Sequence, residues 1–307
     1  MKKRYLLILL AIILGITAAG HAEKGLSCSF APDSPETVLA QQIAGLLGLQ
    51  LLPVPDDGEE PAGSAANLMF ADPECVLIGS QDVLIAGLQG YTVHTSSEEL
   101  WKALCPVCSL AESPLFLVMD RDIAAGLGIT DFASLREYTF ANEYELTFAR
   151  HIGADPVDRA VVQLSEDLEV MIDVFSDEEI PDVLHAGDEA MAGVFCSTEL
   201  TASEDDWLIL CCLGSERCPL WADVPCASEV GLTPCEGTLL CLFMSAEADN
   251  TAVSSVSEAA AMLKDEFLPA GYVLRYSSGS GFTDALKAMF IDYKQYMTSE
   301  GKMFYEE

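Results

Sequence analysis

The chain has 307 residues, with 15 Lys and Arg against 49 Asp and Glu, a formal net charge of −34, and half its residues are apolar. Such a field repels nucleic acid and anionic lipid, which excludes both as partners. The apolar half excludes a disordered chain, because it is enough to bury a sizeable core.

The chain opens Met1-Lys2-Lys3-Arg4-Tyr5, runs without charge from Leu6 to Ile16, and reaches small residues at Gly20-His21-Ala22. A basic start, a short apolar core and a small-x-small end predict a signal peptide over residues 1–22. The apolar run is short for a membrane span, and a retained anchor is the alternative. Cys28 follows Gly25-Leu26-Ser27, too far past the apolar core to favour a lipid-attachment site. Cleavage would remove Lys2, Lys3 and Arg4, leaving 12 basic residues against 49 acids, a formal −37. The mature chain is then expected outside the cytoplasm, in the periplasm or secreted. It would retain about 285 residues, enough for two domains.

Short apolar runs follow, separated by segments of helical period. Leu26–Phe30, Gln50–Val54, Val76–Ile78, Leu115–Met119, Leu146–Ala149, Val170–Val174, Met191–Phe195, Leu208–Leu213 and Leu239–Met244 read as strands. Thr37–Leu47 places Leu39, Ile43, Leu46 and Leu47 on one helical face. Glu98–Leu104, Phe132–Tyr138 after Thr130-Asp131, the segment after Asp155-Pro156, Ala252–Phe267 and Phe282–Tyr296 also read as helices. Asp56–Gly63 reads as a loop. The alternation predicts α/β layers with mainly parallel sheets.

Arg217 to Leu232 reads R-C-P-L-W-A-D-V-P-C-A-S-E-V-G-L. Physically it is a connector: Pro219 and Pro225 lack an amide donor and hold the preceding residue extended, and Gly231 permits a tight reversal. As a pattern it resembles the R-x(n)-P-D-V-P-T-x-x-E-x-G-L segment of the solute-binding proteins of tripartite tricarboxylate transporters, the Bug-type periplasmic receptors. Arg217, Asp223, Val224, Pro225, Glu229, Gly231 and Leu232 match, and Cys226 stands where that family usually has threonine. Phe30-Ala31-Pro32 with Thr37 resembles the family's F-A-P-G-G-G-T-D loop, and Ala71–Leu77 stands where it reads P-D-G-Y-T-L. Val174 with Leu184–Gly187 is similar to its V-P-Y-K-G…L-L-x-G region. The resemblance covers about 220 residues, from Leu26 to roughly Met244.

The resemblance implies a two-domain clamshell of the periplasmic-binding type (type II-like). Each lobe would be a mainly parallel sheet flanked by helices. The chain would cross near Val118 and Leu240, giving a discontinuous first lobe of residues 23–117 plus 241–307 and a second lobe of 118–240. It further implies a small organic carboxylate captured between the lobes and delivered to membrane permease subunits; the missing motifs add an expectation of no cofactor, no metal and no catalysis, and the protein is expected to act as a monomer. An extracytoplasmic sensing module for an amino acid or amine, uncoupled from transport, is the alternative.

Ligands of α/β sheets gather beyond the carboxyl ends of strands, where helix amino ends present free N–H groups. Mapped from the resemblance, the first-lobe loops are Phe30–Thr37, with Ala31, Pro32, Asp33, Ser34 and Thr37, and Gly79–Gln81, with Ser80 and Gln81. The second-lobe loops are Ala149–Gly153, with Arg150 and His151, and Ser176–Glu178, with Ser176 and Asp177. The chain departs from the family there. Pro32-Asp33-Ser34-Pro35-Glu36 replaces the glycines, Arg150-His151 replaces small residues, and Ser176-Asp177-Glu178 replaces tyrosine, lysine and glycine. Arg150 can grip a carboxylate with two parallel bonds, or pair with a surface acid. His151 can donate to the ligand or cap the next segment. Asp33, Glu36 and Asp177 can face an amine or form a solvated acidic face.

Eleven cysteines leave at least one unpaired within a monomer. Cys105-Pro-Val-Cys108 has the spacing of a redox pair, but a helix before it is the wrong context for a thioredoxin-like site. The remaining cysteines lack zinc-site spacing, and small buried hydrophobes are the expected role. Many reduced thiols in an exported protein would suit an anaerobic habitat. Gly79-Ser80 lacks the pattern of a nucleophile elbow, and there is no phosphate-loop or dinucleotide fingerprint.

Overall fold

In this computed structural model the described residues are 25–30, 34–52, 61–88, 92–94, 96–142, 146–151, 153, 155–263 and 268–299. They begin with β1 (Gly25–Cys28), α1 (Pro35–Leu47), β2 (Gln50–Leu51), α2 (Pro61–Ala71), β3 (Val76–Ser80), α3 (Asp82–Leu88), α4 (Ser97–Ala103) and β4 (Leu104–Ser113). The middle of the chain forms β5 (Leu115–Asp120), α5 (Arg121–Leu127), α6 (Phe132–Ala141), β6 (Thr147–Arg150), α7 (Pro156–Leu168), β7 (Met171–Val174), α8 (Ile180–Ala186), β8 (Ala192–Cys196), α9 (Ser197–Leu200) and β9 (Trp207–Cys212). The last part forms α10 (Ala227–Val230), β10 (Thr238–Ser245), α11 (Asn250–Ala260), β11 (Val273–Ser278) and α12 (Gly279–Ser299).

Two sheets result, one in the order β11-β4-β10-β3-β1-β2 and one in the order β7-β6-β8-β5-β9. Each is buried on both faces, which explains the unbroken apolar runs in the sequence. In β3, Leu77 packs on one side with Phe243 and Phe290, while Val76 and Ile78 pack on the other with Leu26 and Leu242. In β5, Leu115, Leu117 and Met119 join Phe148 and Val161, while Phe116 and Val118 join Trp207 on the opposite face. Burying such side chains contributes roughly 1.5–3 kcal/mol each.

The two-lobe α/β layering agrees with expectation, but both sheets are mixed rather than mainly parallel. β2-β1-β3 and β7-β6-β8 are parallel, built by the expected strand–helix alternation. β10 runs antiparallel to β3 and β4, β11 antiparallel to β4, and β5 antiparallel to β8 and β9. The antiparallel strands include those adjoining the chain's passages between sheets: only Pro114 separates β4 in the first sheet from β5 in the second. A strand that enters from the other lobe has no preceding crossover helix to force parallel pairing.

Each expected strand is present, but β4 and β11 were not expected. β4 contains Cys105-Pro106-Val107-Cys108, which has no alternation. It forms because β10 and β11 pair with both its edges, and its register slips between Pro106 and Cys108, where the ladder tolerates a residue without N–H. The expected loop Asp56–Gly63 is corrected at its end, where Pro61–Gly63 open α2; residues 53–60 lie outside the described residues. Ala62, Ala65, Ala66 and Met69 form the buried stripe of α2, small enough for Ser27 Oγ to reach the Ala65 carbonyl at 3.3 Å.

Much of the acidity is structural. Asp120, Asp131, Asp155 and Asp249 cap helix amino ends through their side chains, an arrangement worth about 1 kcal/mol each. The Arg217–Leu232 signature is likewise a structural connector. Arg217 Nε donates to Glu229 Oε1 and Oε2 at 3.0 and 2.8 Å, and its Nη1 to the Ala222 carbonyl at 3.1 Å. Glu229 Oε2 also accepts from the Cys226 amide at 3.0 Å, and Gly231 closes α10 at φ +80°. The Cys226 thiol donates to the Ser215 carbonyl at 3.4 Å. The Cys212 amide donates to the Pro225 carbonyl at 2.9 Å, stitching the segment to the end of β9. No helix among the described residues is long and apolar enough to cross a membrane.

Candidate ligand-binding cleft

The carboxyl ends of β1 and β3 in one lobe and of β6 and β7 in the other carry the expected ligand loops. Two cavities meet at the amino end of α7, where Pro156 lines both. The larger, about 570 Å³, has apolar walls from Ile180, Phe195 and Trp207 and a polar rim that includes His151, Asp177 and Glu199. This volume is in the range of small-molecule sites. The smaller, about 270 Å³, joins Gln81 of the first lobe to Arg159 of the second and to Asp292 and Tyr293 of α12.

Ala31, Pro32 and Asp33 lie outside the described residues. Ser34 caps α1, its Oγ accepting from the Thr37 amide at 3.2 Å and lying 3.3 Å from Thr37 Oγ1. Thr37 is buried, with the Cys28 thiol 3.6 Å from its hydroxyl. Ser80 is buried at the end of β3. Gln81 is also buried. Its amide nitrogen donates to the Gly237 carbonyl at 3.0 Å, and its oxygen accepts from the Leu239 amide at 2.5 Å. Gln81 thus fastens the chain as it returns to the first sheet, and Glu112 Oε1 holds the Gly237 amide at 3.2 Å from the other side. A side chain at position 237 would collide with the Ser113 carbonyl. Glu36, weighed as an amine contact, accepts from the Tyr272 hydroxyl at 2.9 Å.

In the second lobe the structure gathers Arg150, His151 and Asp177. Arg150 Nε donates to Asp158 Oδ1 at 2.6 Å; the Asp158 side chain is fully buried and that of Arg150 is 13% exposed. Arg150 Nη2 donates to the Tyr296 hydroxyl at 3.0 Å, and that hydroxyl donates to Asp158 Oδ2 at 2.7 Å. His151 stands between two carboxylates, with Nε2 2.6 Å from Asp155 Oδ2 and Nδ1 3.0 Å from Asp177 Oδ1. Burial works against the charged imidazolium, but the hydrogen bond and charge of Asp155, with Asp177 and Asp158 beyond, outweigh it and raise the His151 pKa. The Ser176 amide and hydroxyl both donate to Glu179 Oε2, at 3.0 and 2.6 Å. On the same rim, burial raises the pKa of Glu199.

Two contributors here escaped the sequence reading. Asp158 sits three residues after Asp155, in the first turn of a helix that was expected, so its spacing from Arg150 was legible. Tyr296 lies 146 residues from Arg150 on the last helix and had no local signal. The expected redox pair is also placed. An extended strand separates residues three apart by about 10 Å, whereas a disulfide needs Cα atoms within about 7 Å. Cys105 and Cys108, within β4, therefore cannot bridge while the strand is formed. All eleven cysteines are free thiols.

No family model matches the chain, and no curated protein matches it. Solved structures do. A TctC solute-binding protein from Polaromonas superposes with a TM-score of 0.73 at 14% identity, over 90% of this chain and 97% of that one. The periplasmic binding protein BugD gives 0.64 at 14%, over 91% and 97%. An R. palustris protein solved with adipate gives 0.61 at 16%, also over 91% and 97%. The chain therefore has the two-lobe fold of TctC- and BugD-type periplasmic binding proteins.

Proposed function

We propose that this protein is an extracytoplasmic receptor that closes two lobes on a small carboxylate and hands it to the permease subunits of a membrane transporter. The observation that carries the reading is a cleft between two sheets in a fold shared, over nine-tenths of the chain, with a protein that holds adipate. His151, biased towards its charged form, with Gln81 and Arg159, lines the polar side of the two cavities. The apolar walls at Ile180, Phe195 and Trp207 accept a short carbon chain. The lobes divide close to the expected boundaries, 23–117 plus 241–307 and 118–240, a division supported by the sheet membership of β4, β5, β9 and β10. The same reading makes residues 1–22 a signal peptide, the location periplasmic or secreted, and the protein a monomeric binder rather than an enzyme.

Binding must favour the closed arrangement, so the ligand has to hold both lobes better together than apart. A thermal-shift panel of adipate, other dicarboxylates, amino acids and amines tests the class. A ligand at a hundred times its Kd stabilises by about 2.7 kcal/mol, which is readily seen. Stabilisation by dicarboxylates supports the proposal, and stabilisation by amines alone overturns it.

A further inference from the structure

One face of α12 reaches out of its own lobe. The helix is rooted in the first lobe by Phe282, Leu286, Met289, Phe290 and Met297. Asp292 meets the second lobe at the amino end of α7, and Tyr293 and Tyr296, whose rings also pack on the first-lobe core, reach α7 and the end of β6 from the same side. Arg159 Nη2 donates to Asp292 Oδ2 at 3.2 Å, and its guanidinium lies 5.2 Å from the centre of the Tyr293 ring. One turn further on, the Tyr296 hydroxyl accepts from Arg150 and donates to Asp158. Positions 292, 293 and 296 share a helical face, so a single rigid element presents all three contacts.

We propose that Tyr296 is the closing clasp of the receptor, a first-lobe hydroxyl that locks onto the buried Arg150–Asp158 pair of the second lobe and sets the balance between open and closed arrangements. When the lobes part, Tyr296 leaves with α12. Arg150 Nη2 and Asp158 Oδ2 then each lose a partner at a site that is almost fully enclosed. Water has to re-satisfy a charged donor and a charged acceptor there, which makes opening costly. The Arg159 contacts to Asp292 and Tyr293 are more exposed and assist. Burial, and then the hydrogen bond to Asp158, raise the Tyr296 pKa, so the hydroxyl stays protonated and able to donate across the physiological range. The clasp rests on the two-lobe closing motion and not on the identity of the ligand.

The test uses the full mature chain with no added ligand, so it is independent of whether a carboxylate binds. Tyr296→Phe keeps the ring and removes only the hydroxyl. It is expected to shift the open–closed ratio about a hundredfold towards open, the weight of two hydrogen bonds to charged groups. Small-angle X-ray scattering should then give a larger radius of gyration. Amide exchange should rise together at 292–297 and 157–160, with unchanged far-UV circular dichroism. Tyr276→Phe is the control, because that hydroxyl bonds Ser257 within the first lobe, and it should alter neither reading. If Tyr296→Phe fails to fold, Arg159→Ala, which removes the two assisting contacts, should move both readings in the same direction. An unchanged radius and unchanged exchange in whichever variant folds would overturn the proposal, as would an equal effect from Tyr276→Phe.

Discussion

Replacing Asp158 by Asn isolates the buried charge where α12 meets the second lobe. The side chain keeps its shape and can still accept from the Tyr296 hydroxyl. It no longer balances a guanidinium whose side chain is only 13% exposed. Removing one member of a buried ion pair costs about 3–5 kcal/mol, mostly the penalty of leaving the other charge unpaired. Water reaches the small exposed part of Arg150, so the lower end, about 3 kcal/mol, is expected. At roughly 2–4 °C per kcal/mol for a chain of this class, the melting temperature should fall by about 6–12 °C. Differential scanning calorimetry of the mature chain reads this directly. The paired change Arg150→Met with Asp158→Leu removes both charges and should recover most of the loss, because apolar replacement of a whole buried pair is often neutral. A shift below about 2 °C for the single variant, or a double variant no more stable than the single one, would show that the pair is solvated and would remove it from the account.

Three further outcomes follow from the geometry. His151 has a folded pKa above its ordinary 6.5, so its contribution is complete below that value and is lost as pH rises through the folded pKa; His151→Gln should flatten the decline in melting temperature on this alkaline side, and an identical slope in both proteins would contradict the Asp155–His151–Asp177 arrangement. Gly271 (φ +88°) leaves no room for a methyl group, whose carbon would lie 2.5 Å from Thr198 Cα, whereas Gly279 (φ +74°) has open space. Gly279→Ala should therefore cost about 1–2 kcal/mol of backbone strain and Gly271→Ala clearly more, and equal urea midpoints would refute the collision. The thiols should react slowly with a disulfide reagent in the native protein and number eleven after denaturation, since burial opposes the thiolate and pushes Cys108 to about 12; rapid native reaction at Cys105 or Cys108 would revive the redox reading.

The parts of the fold that were legible in the sequence are those governed by local periodicity. Leu115–Met119 is apolar at every position because β5 is covered on both faces, and Asp155-Pro156 announces α7 because the cap and the first turn are a local matter. β4 was illegible because its strand character comes from two partners distant in the chain, and α2 because Ala62, Ala65 and Ala66 make a weak apolar stripe that packs through smallness. The same division runs through the cleft. The loop positions of Arg150, His151 and Asp177 came from the resemblance mapped onto the strands, not from local pattern. Their partners could not all be found, because a guanidinium does not announce which of 49 acids it will meet. Ser34 and Thr37 show the reverse case: a short polar motif ahead of a helix fits both a ligand loop and a cap, and here it makes the cap.

The balance of charge inside the cleft bears on how an acidic chain can receive an anion. Cations in and behind the cleft are set against carboxylates of the chain itself: Arg150 against Asp158, His151 against Asp155 and Asp177, Arg159 against Asp292. Other acids stand close by: Glu199 and Asp206 line the same cavity as His151, and Glu236 the same cavity as Arg159. Within about 4 Å, near a protein surface, a single opposite charge is worth about 4 kcal/mol, so the nearest one or two groups decide the sign of the interaction. On the proposed reading, an incoming carboxylate therefore meets a site with no excess of positive charge, three cations standing against four carboxylates. It gains little from net charge and must be recognised through directed hydrogen bonds that are complete only when both lobes contribute. If the proposed function holds, affinity is drawn from closure. The contacts that set the cost of opening, at Tyr296, Arg150 and Asp158, then weigh on affinity as directly as any group that touches the ligand.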